Sequence, residues 1–178
     1  MDSMRSVEKL VAQSGSGPTI LDVIRRQLEP TLKMLQEVVD ECPEELWDAG
    51  HGNVAIWQQA YHSIYWLHAW ARDWTRPFEP PAFHTREALD MVVGATPVFT
   101  RQQLADYLER VRAECDAFLQ GLTPESLIEE QEAFDVKWTP ADRLLGQIRH
   151  VQHHVGSMHT ILYGQMSRAP RWIGFGEA

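Results

Sequence analysis

The sequence predicts an all-α protein, most simply a four-helix bundle. Four long segments carry apolar residues at three- and four-residue spacing, which is the period of an amphipathic helix. No stretch alternates apolar and polar residues for long, as a half-buried strand would, and no internal repeat is present. With 178 residues, of which 44% are hydrophobic, the chain can bury one substantial core.

The first two helices are predicted on either side of a connector at residues 43–52. Residues 19–40 form the first helix, although Pro30 predicts a kink or break within it. Residues 53–73 form the second helix, with Asn53 as a good N-cap. Apolar side chains occur nearly all round this second helix, which predicts that it is buried on most sides.

A long excursion at residues 75–97 follows the second helix and contains four of the ten prolines. A short helix is predicted within it, around residues 86–93. Long loops in compact domains tend to be either functional or disordered, and in the first case this segment is a candidate for shaping a binding site.

The third and fourth helices begin with clear capping signals. Thr100 and Gln103 form a capping box at the start of a helix over residues 100–121. After a polar connector at residues 123–136, Thr139 and Pro140 supply an N-cap and a proline at the first helical position. This fourth helix is predicted to continue to Tyr163.

Composition limits the possible function classes. The net charge of -9 argues against a nucleic-acid partner, which normally needs a basic surface. The sequence has no signal-peptide pattern and no apolar run of membrane-spanning length, so no membrane partner and a cytoplasmic location are expected. Cys42 and Cys115 form no CxxC motif and are expected to be small buried hydrophobic residues. The predicted domain covers residues 19–173, between a flexible segment at 1–18 and a tail at 174–178.

Three of the eight histidines fall within five residues of the fourth helix. His150 and His154 are one helical turn apart and therefore lie on the same side. At about 100° per residue, His154 lies about 80° and His150 about 120° from the apolar stripe, whereas His153 lies about 180° away and is expected in solvent. This apolar stripe comprises Leu144, Ile148, Val151, Val155, Met158 and Leu162.

Two imidazoles on one face can share a metal ion, but such sites use at least three protein ligands. The second helix offers His62 and His68, which face about 120° apart and are not expected to share one ion. The hydrophobic pattern mildly favours His68 as the more core-facing residue. His51 and His84, in predicted loops, remain further candidates.

The segment from Arg149 to Gly156 resembles the fourth-helix signature of the DinB-like superfamily, an HxxHHxG pattern followed by an apolar run. The segment from Trp57 to Leu67 is similar to that family's first-ligand segment. The order of the helices, the proline-rich loop and the tryptophan after helix four agree with the resemblance, which covers roughly residues 19–173.

The resemblance implies an up-down-down-up bundle that holds a divalent metal, commonly nickel or zinc. Carried over position by position, the ligands are His62, His150 and His154, so the motif selects His62 where the hydrophobic pattern favoured His68. Ser157 departs from the family pattern, because many members carry glutamine after the glycine.

The superfamily includes transferases and isomerases that use low-molecular-weight thiols such as bacillithiol or mycothiol. The first hypothesis is therefore a metal-dependent thiol S-transferase acting on a small-molecule substrate, with the 75–97 loop at the mouth of the site. A metal-dependent hydrolase is the alternative enzyme, for which Asp142 and Glu114 are the acidic residues to consider as general base. A non-enzymatic, metal-stabilised binding or stress protein is the third hypothesis, and a homodimer through exposed helix faces is compatible with all three.

Overall fold

A computed structural model describes residues 17–49, 54–133, 135–165, 171–174 and 176–177. Within them the predicted all-α fold is confirmed, because helices dominate and one small hairpin is the only sheet among these residues. The long helices are α1 (Ile20–Glu41), α3 (Ile56–Trp70), α5 (Arg101–Gly121) and α7 (Pro140–Tyr163), and the short ones are α2 (Glu44–Trp47), α4 (Arg86–Leu89) and α6 (Pro124–Leu127). The hairpin pairs β1 (Gln131–Ala133) with β2 (Val136–Trp138).

Each long helix packs mainly against two of the others. α3 and α1 both lie against α7 and against α5, while α1 and α3 contact each other much less. The core between them contains fully buried residues from all four helices, namely Ile24, Leu35, Ile64, Leu108 and Val151. The up-down-down-up order of chain directions remains a prediction. None of the helices in the described residues combines the length and apolarity needed to cross a bilayer.

The apolar stripe predicted for α7 is confirmed. Five of its six members are buried and Ile148 is partly buried. His150 and His154 therefore sit at the edge of a helix face that is committed to the core. This fixes the rotation of α7 and, with it, the direction in which the two imidazoles project.

The predicted starts of α5 and α7 are confirmed, and at each start a threonine side chain caps the helix. Thr100 and Thr139 form capping boxes with Gln103 and Asp142. The start of the second helix was predicted wrongly, since α3 begins at Ile56 with Ala55 as N-cap and Asn53 lies outside the described residues.

The first two helices differ from the prediction at two places, the interior of α1 and the C-terminus of α3. α1 continues without a break across Pro30, because the buried residues Leu28 and Leu32 on either side hold the flanking turns against the core. α3 stops at Trp70, before the predicted residue 73. There the Asp73 carboxylate accepts hydrogen bonds from the Thr75 backbone N–H (2.9 Å) and hydroxyl, which stabilises a turn in place of another helical residue.

The two predicted connectors contain more structure than their sequences indicated. The polar stretch at residues 123–136 includes α6 and most of the hairpin, whose three-residue strands are too short to show a period of two. In the long excursion the helix is only α4, and the chain then turns through Met91, whose φ of 54° lies in the left-handed region. The hairpin places Trp138 beside α7, and the turn places the Leu89 carbonyl beside α3.

Arg143, on α7, ties three elements together although it is only 1% exposed. Its Nη1 donates to the Trp70 and Arg72 carbonyls at the end of α3 (both 3.2 Å), and its Nη2 donates to Gln131 Oε1 on β1 (3.0 Å). A cation at a helix C-terminus is stabilised by the helix dipole. Burial, and secondarily the nearby Arg72, lowers the pKa of Arg143 to about 10, so the guanidinium stays charged at neutral pH.

Cys42 and Cys115 are both free and buried, as predicted. Burial raises the pKa of each thiol, to about 11 for Cys42 and about 12 for Cys115. Both therefore remain protonated at neutral pH and act as packing residues.

We expect Thr139→Ala to lower the free energy of unfolding by about 1 kcal/mol, because it removes the N-cap of α7. The hydroxyl accepts from the Asp142 N–H (3.1 Å) and donates to the Asp142 carboxylate (2.7 Å). Urea unfolding followed by circular dichroism measures the change. Thr160→Ala is the control, since this exposed hydroxyl bonds only to Gly156 within the same helix, and an equal loss there would contradict the capping role.

Candidate metal centre

Helices α3 and α7 bring His62, His150 and His154 together at their contact. One ring nitrogen from each histidine lies within 4.8 Å of the others. His62 Nε2 and His150 Nε2 lie 3.2 Å apart. The His154 ring centroid lies 4.8 Å from each of the other two centroids, so the three imidazoles form one compact cluster.

Hydrogen bonds on the far side of two rings determine where their lone pairs point. His62 Nδ1 lies 2.7 Å from the Leu89 carbonyl, which can only accept, so Nδ1 carries the hydrogen. His150 Nδ1 lies 3.2 Å from Gln147 Oε1, which is also an acceptor. In the neutral rings both Nε2 atoms therefore carry lone pairs, and these point at each other.

Two lone pairs facing each other at 3.2 Å repel unless a cation lies between them. In a tetrahedral site with metal–nitrogen bonds of about 2.0–2.1 Å, two ligand nitrogens are about 3.3–3.4 Å apart. The observed separation of 3.2 Å is close to this value. The donor set thus fits a divalent ion of the zinc or nickel type, for which imidazole is a suitable ligand.

The protein environment keeps the three rings neutral. Burial lowers the pKa of His62, and it lowers the pKa of His150 to about 4 and that of His154 to about 3. The neighbouring histidines, His62 above all, add to the lowering at His150 and His154. Neutral imidazole is the form that binds a metal ion, so at neutral pH no proton has to be displaced.

The hydrophobic pattern favoured His68 over His62 as the third histidine, and for this cluster that prediction is wrong. His68 is only 3% exposed, but both of its nitrogens are engaged elsewhere: Nδ1 lies 3.0 Å from the Tyr107 hydroxyl and Nε2 lies 2.8 Å from Glu114 Oε2. The pattern identified the more buried histidine correctly. Burial does not decide which histidine joins the cluster, because the partly exposed His62 is the one that faces α7.

Among the described residues, no other histidine belongs to the cluster, although the His153 ring lies 5.0 Å from that of His154. His153 is exposed, as the helical wheel predicted. His84, in the long excursion, contacts the Tyr61 hydroxyl through Nδ1 (2.5 Å) and stacks on Tyr65. His51 lies outside the described residues.

Two pockets reach the three histidines. The larger, of about 400 Å³, is lined by His62 and His150 together with side chains of α3, β2 and α7, among them three tryptophans. The smaller, of about 240 Å³, is lined by His154 and His153, by Met91 of the long excursion, and by Val54, Gln59 and Ser157. The excursion thus contributes to the smaller pocket, and through the Leu89 carbonyl to the orientation of His62, but it does not line the larger pocket.

Neither acidic residue considered as a general base is suited to that role. Glu114 is bonded to His68 and Arg110, away from the three histidines. Asp142 lines the larger pocket, but its Oδ2 accepts from the Thr139 N–H (3.0 Å) and hydroxyl (2.7 Å). These bonds lower the pKa of Asp142 and make it a weaker base.

Several residues at the site were not singled out from the sequence. Gln147 lies three residues before His150, on the same helix face, and this spacing could have identified it as the orienting residue. The Leu89 carbonyl carries no sequence signal, since any residue would supply the same backbone oxygen. Trp138 joins the site through the hairpin, which the sequence pattern did not show, and Arg143 lines the larger pocket from α7.

The comparison with protein families agrees with this geometry. The family described as the DinB superfamily matches residues 27–158, most of the chain, and the matched span contains all three clustered histidines. No curated protein and no solved structure is significantly similar to the chain. On the strength of this match and of the all-α fold, the chain belongs to the DinB superfamily.

Proposed function

We propose that the protein binds a divalent metal ion, nickel or zinc, through His62, His150 and His154, and uses it as a thiol-dependent S-transferase acting on small molecules. The observation that carries the metal site is the pair of Nε2 lone pairs converging at 3.2 Å, with His154 completing the cluster. Membership of the DinB superfamily supports the same site.

The chain's own residues hold the site in position. The Leu89 carbonyl and the Gln147 amide fix the tautomer and orientation of His62 and His150, as carbonyl and carboxylate partners do for histidine ligands in general. His154, which is buried, closes the cluster. Three protein ligands leave a coordination position for a substrate, and the bound ion supplies a Lewis acid that stabilises a thiol as thiolate.

The charge of the ligand set favours binding of a thiolate to the ion over use of the ion in hydrolysis. All three ligands are neutral, and among the described residues no carboxylate belongs to the cluster. The positive charge of a bound ion would therefore be uncompensated by the protein and would attract an anionic ligand. Hydrolysis is less well supported, because neither Asp142 nor Glu114 is available as a general base.

We expect the untagged protein, incubated with nickel or zinc and desalted, to retain about one equivalent of metal per chain. His154→Ala should lose most of it because it removes a ligand, whereas His153→Ala should not, because that ring faces solvent. Elemental analysis measures both. Retention below about a tenth of an equivalent by the parent protein, or equal losses in the two variants, would overturn the proposed ligands.

Gln147→Leu should weaken metal affinity by about 10- to 100-fold, because His150 loses the acceptor that fixes its tautomer. Competition with a chromophoric chelator gives the affinity. Gln147→Glu keeps an acceptor oxygen at this position and should retain affinity. A loss of the same size in both variants would show that Gln147 acts through packing alone.

A low-molecular-weight thiol such as bacillithiol or mycothiol should raise the melting temperature of the metal-loaded protein. At about 100 times its dissociation constant a ligand stabilises by about 2.7 kcal/mol, or roughly 5–10 °C for a domain of this size. The S-methylated thiol and the His154→Ala variant are the controls and should show no shift. A metal-loaded protein unaffected by any thiol would exclude the transferase and favour the non-enzymatic hypothesis.

A further inference from the structure

Three indole rings line the larger pocket beside the histidines. Trp66 and Trp70 come from α3 and Trp138 comes from β2. His62 and His150 line the same pocket, so a molecule bound against the indoles would lie next to the candidate metal ligands. The pocket measures about 400 Å³, which suits one ring system of a small molecule.

These indoles differ from the tryptophans of the core. Trp57, on the same helix, is only 1% exposed. Trp66, Trp70 and Trp138 are all partly exposed, although each carries enough apolar surface to favour full burial.

Contacts between aromatic rings hold the three side chains in place. Trp138 lies edge-on to Trp70 with 5.0 Å between ring centroids, and Trp70 in turn contacts Trp74 at 5.3 Å. Trp66 makes an edge contact with Tyr65 at 5.5 Å. Because the wall is already formed, a ligand would lose little affinity to the ordering of side chains.

Two residues that line the pocket each carry a buried N–H group without a hydrogen-bond partner among the described residues. Arg143 lines it and, among the described residues, forms no ion pair with a carboxylate. Its Nε and the Trp138 Nε1 are both buried and have no hydrogen-bond partner among those residues. A ligand oxygen that reached either N–H would remove the cost of leaving that donor unpaired, which a plain hydrocarbon could not do.

We infer that this pocket binds a flat, electron-poor ring of the substrate, an arene bearing nitro, carbonyl or similar electron-withdrawing groups. The face of an indole is the negative side of its quadrupole, so it stacks best on an electron-poor ring. The assignment of this ring to a substrate rests on the proposed function, whereas its binding does not.

Gly146 provides a way to fill the pocket without disturbing the fold. It lines the pocket on α7, and a Cβ at this position would meet no atom within 4 Å. Gly146→Leu should therefore fold normally and occupy the space. Gly156→Leu is the matched control, because Gly156 is on the same helix with the same open surroundings but does not line this pocket.

The test measures binding of 1,3-dinitrobenzene, an unreactive electron-poor arene, by saturation-transfer NMR titration with and without zinc. We expect saturable binding in both forms. Gly146→Leu should weaken it by at least about ten-fold, the equivalent of one lost set of stacking contacts, while Gly156→Leu leaves it unchanged. Cyclohexanone, which is not aromatic, should bind more weakly.

A second pair of variants tests the indole wall. Trp138→Leu should weaken dinitrobenzene binding by about two- to ten-fold, and Trp172→Leu, at an indole that is 72% exposed and outside the pocket, should not. Circular dichroism checks that each variant folds. If Trp138→Leu does not fold, the comparison of Gly146→Leu with Gly156→Leu tests the inference.

His154→Ala separates this inference from the proposed function, because His154 does not line the larger pocket. It should lose the metal and keep dinitrobenzene binding. Absence of saturable binding, equal binding of cyclohexanone, or no effect of Gly146→Leu would overturn the inference even in a protein that binds metal. Dinitrobenzene binding that depends on Gly146 in a protein unable to bind metal would uphold the inference while the proposed function fails.

Discussion

The packing of α3 against α7 is the contact on which both the core and the site depend. Apolar residues such as Ile64 and Val151 bury one face of each helix, and this burial fixes how each helix is rotated about its axis. Since His62 and His154 project from the edges of these same faces, the rotation that completes the core also brings the histidines together. The site therefore forms as a consequence of core packing.

This arrangement places three neutral imidazoles, of which His154 is buried and His62 and His150 are partly buried, where their nitrogens crowd one another. Burial and mutual repulsion lower the pKa values of His150 and His154. At neutral pH, therefore, no added proton lies between the Nε2 atoms of His62 and His150 to offset their repulsion. Sites that are costly in the absence of a ligand are common where function requires one. A divalent ion would turn this repulsion into three favourable bonds, so metal binding and folding stability should be coupled.

Two segments outside the four long helices contribute residues to the surroundings of the histidine cluster. The long excursion supplies the Leu89 carbonyl behind His62 and places Met91 in the smaller pocket, whereas the hairpin supplies Trp138 to the larger one. Arg143 links the hairpin to the end of α3, so the indole wall and the histidines are held by the same framework. Segments that look like connectors in the sequence thus complete both pockets.

The four long helices, the N-caps of α5 and α7, and the pairing of His150 with His154 could all be predicted from the sequence, because hydrophobic period, capping and helical spacing are local properties. The helical spacing also predicted correctly that His153 is exposed to solvent. The choice between His62 and His68 could not be made from the period of α3, since that helix is apolar on nearly all sides, and only the motif indicated His62. Which side of α3 faces α7 depends on the tertiary structure, and so does the placement of Leu89 and Trp138 at the site, because contacts between distant segments depend on how packed elements fit together.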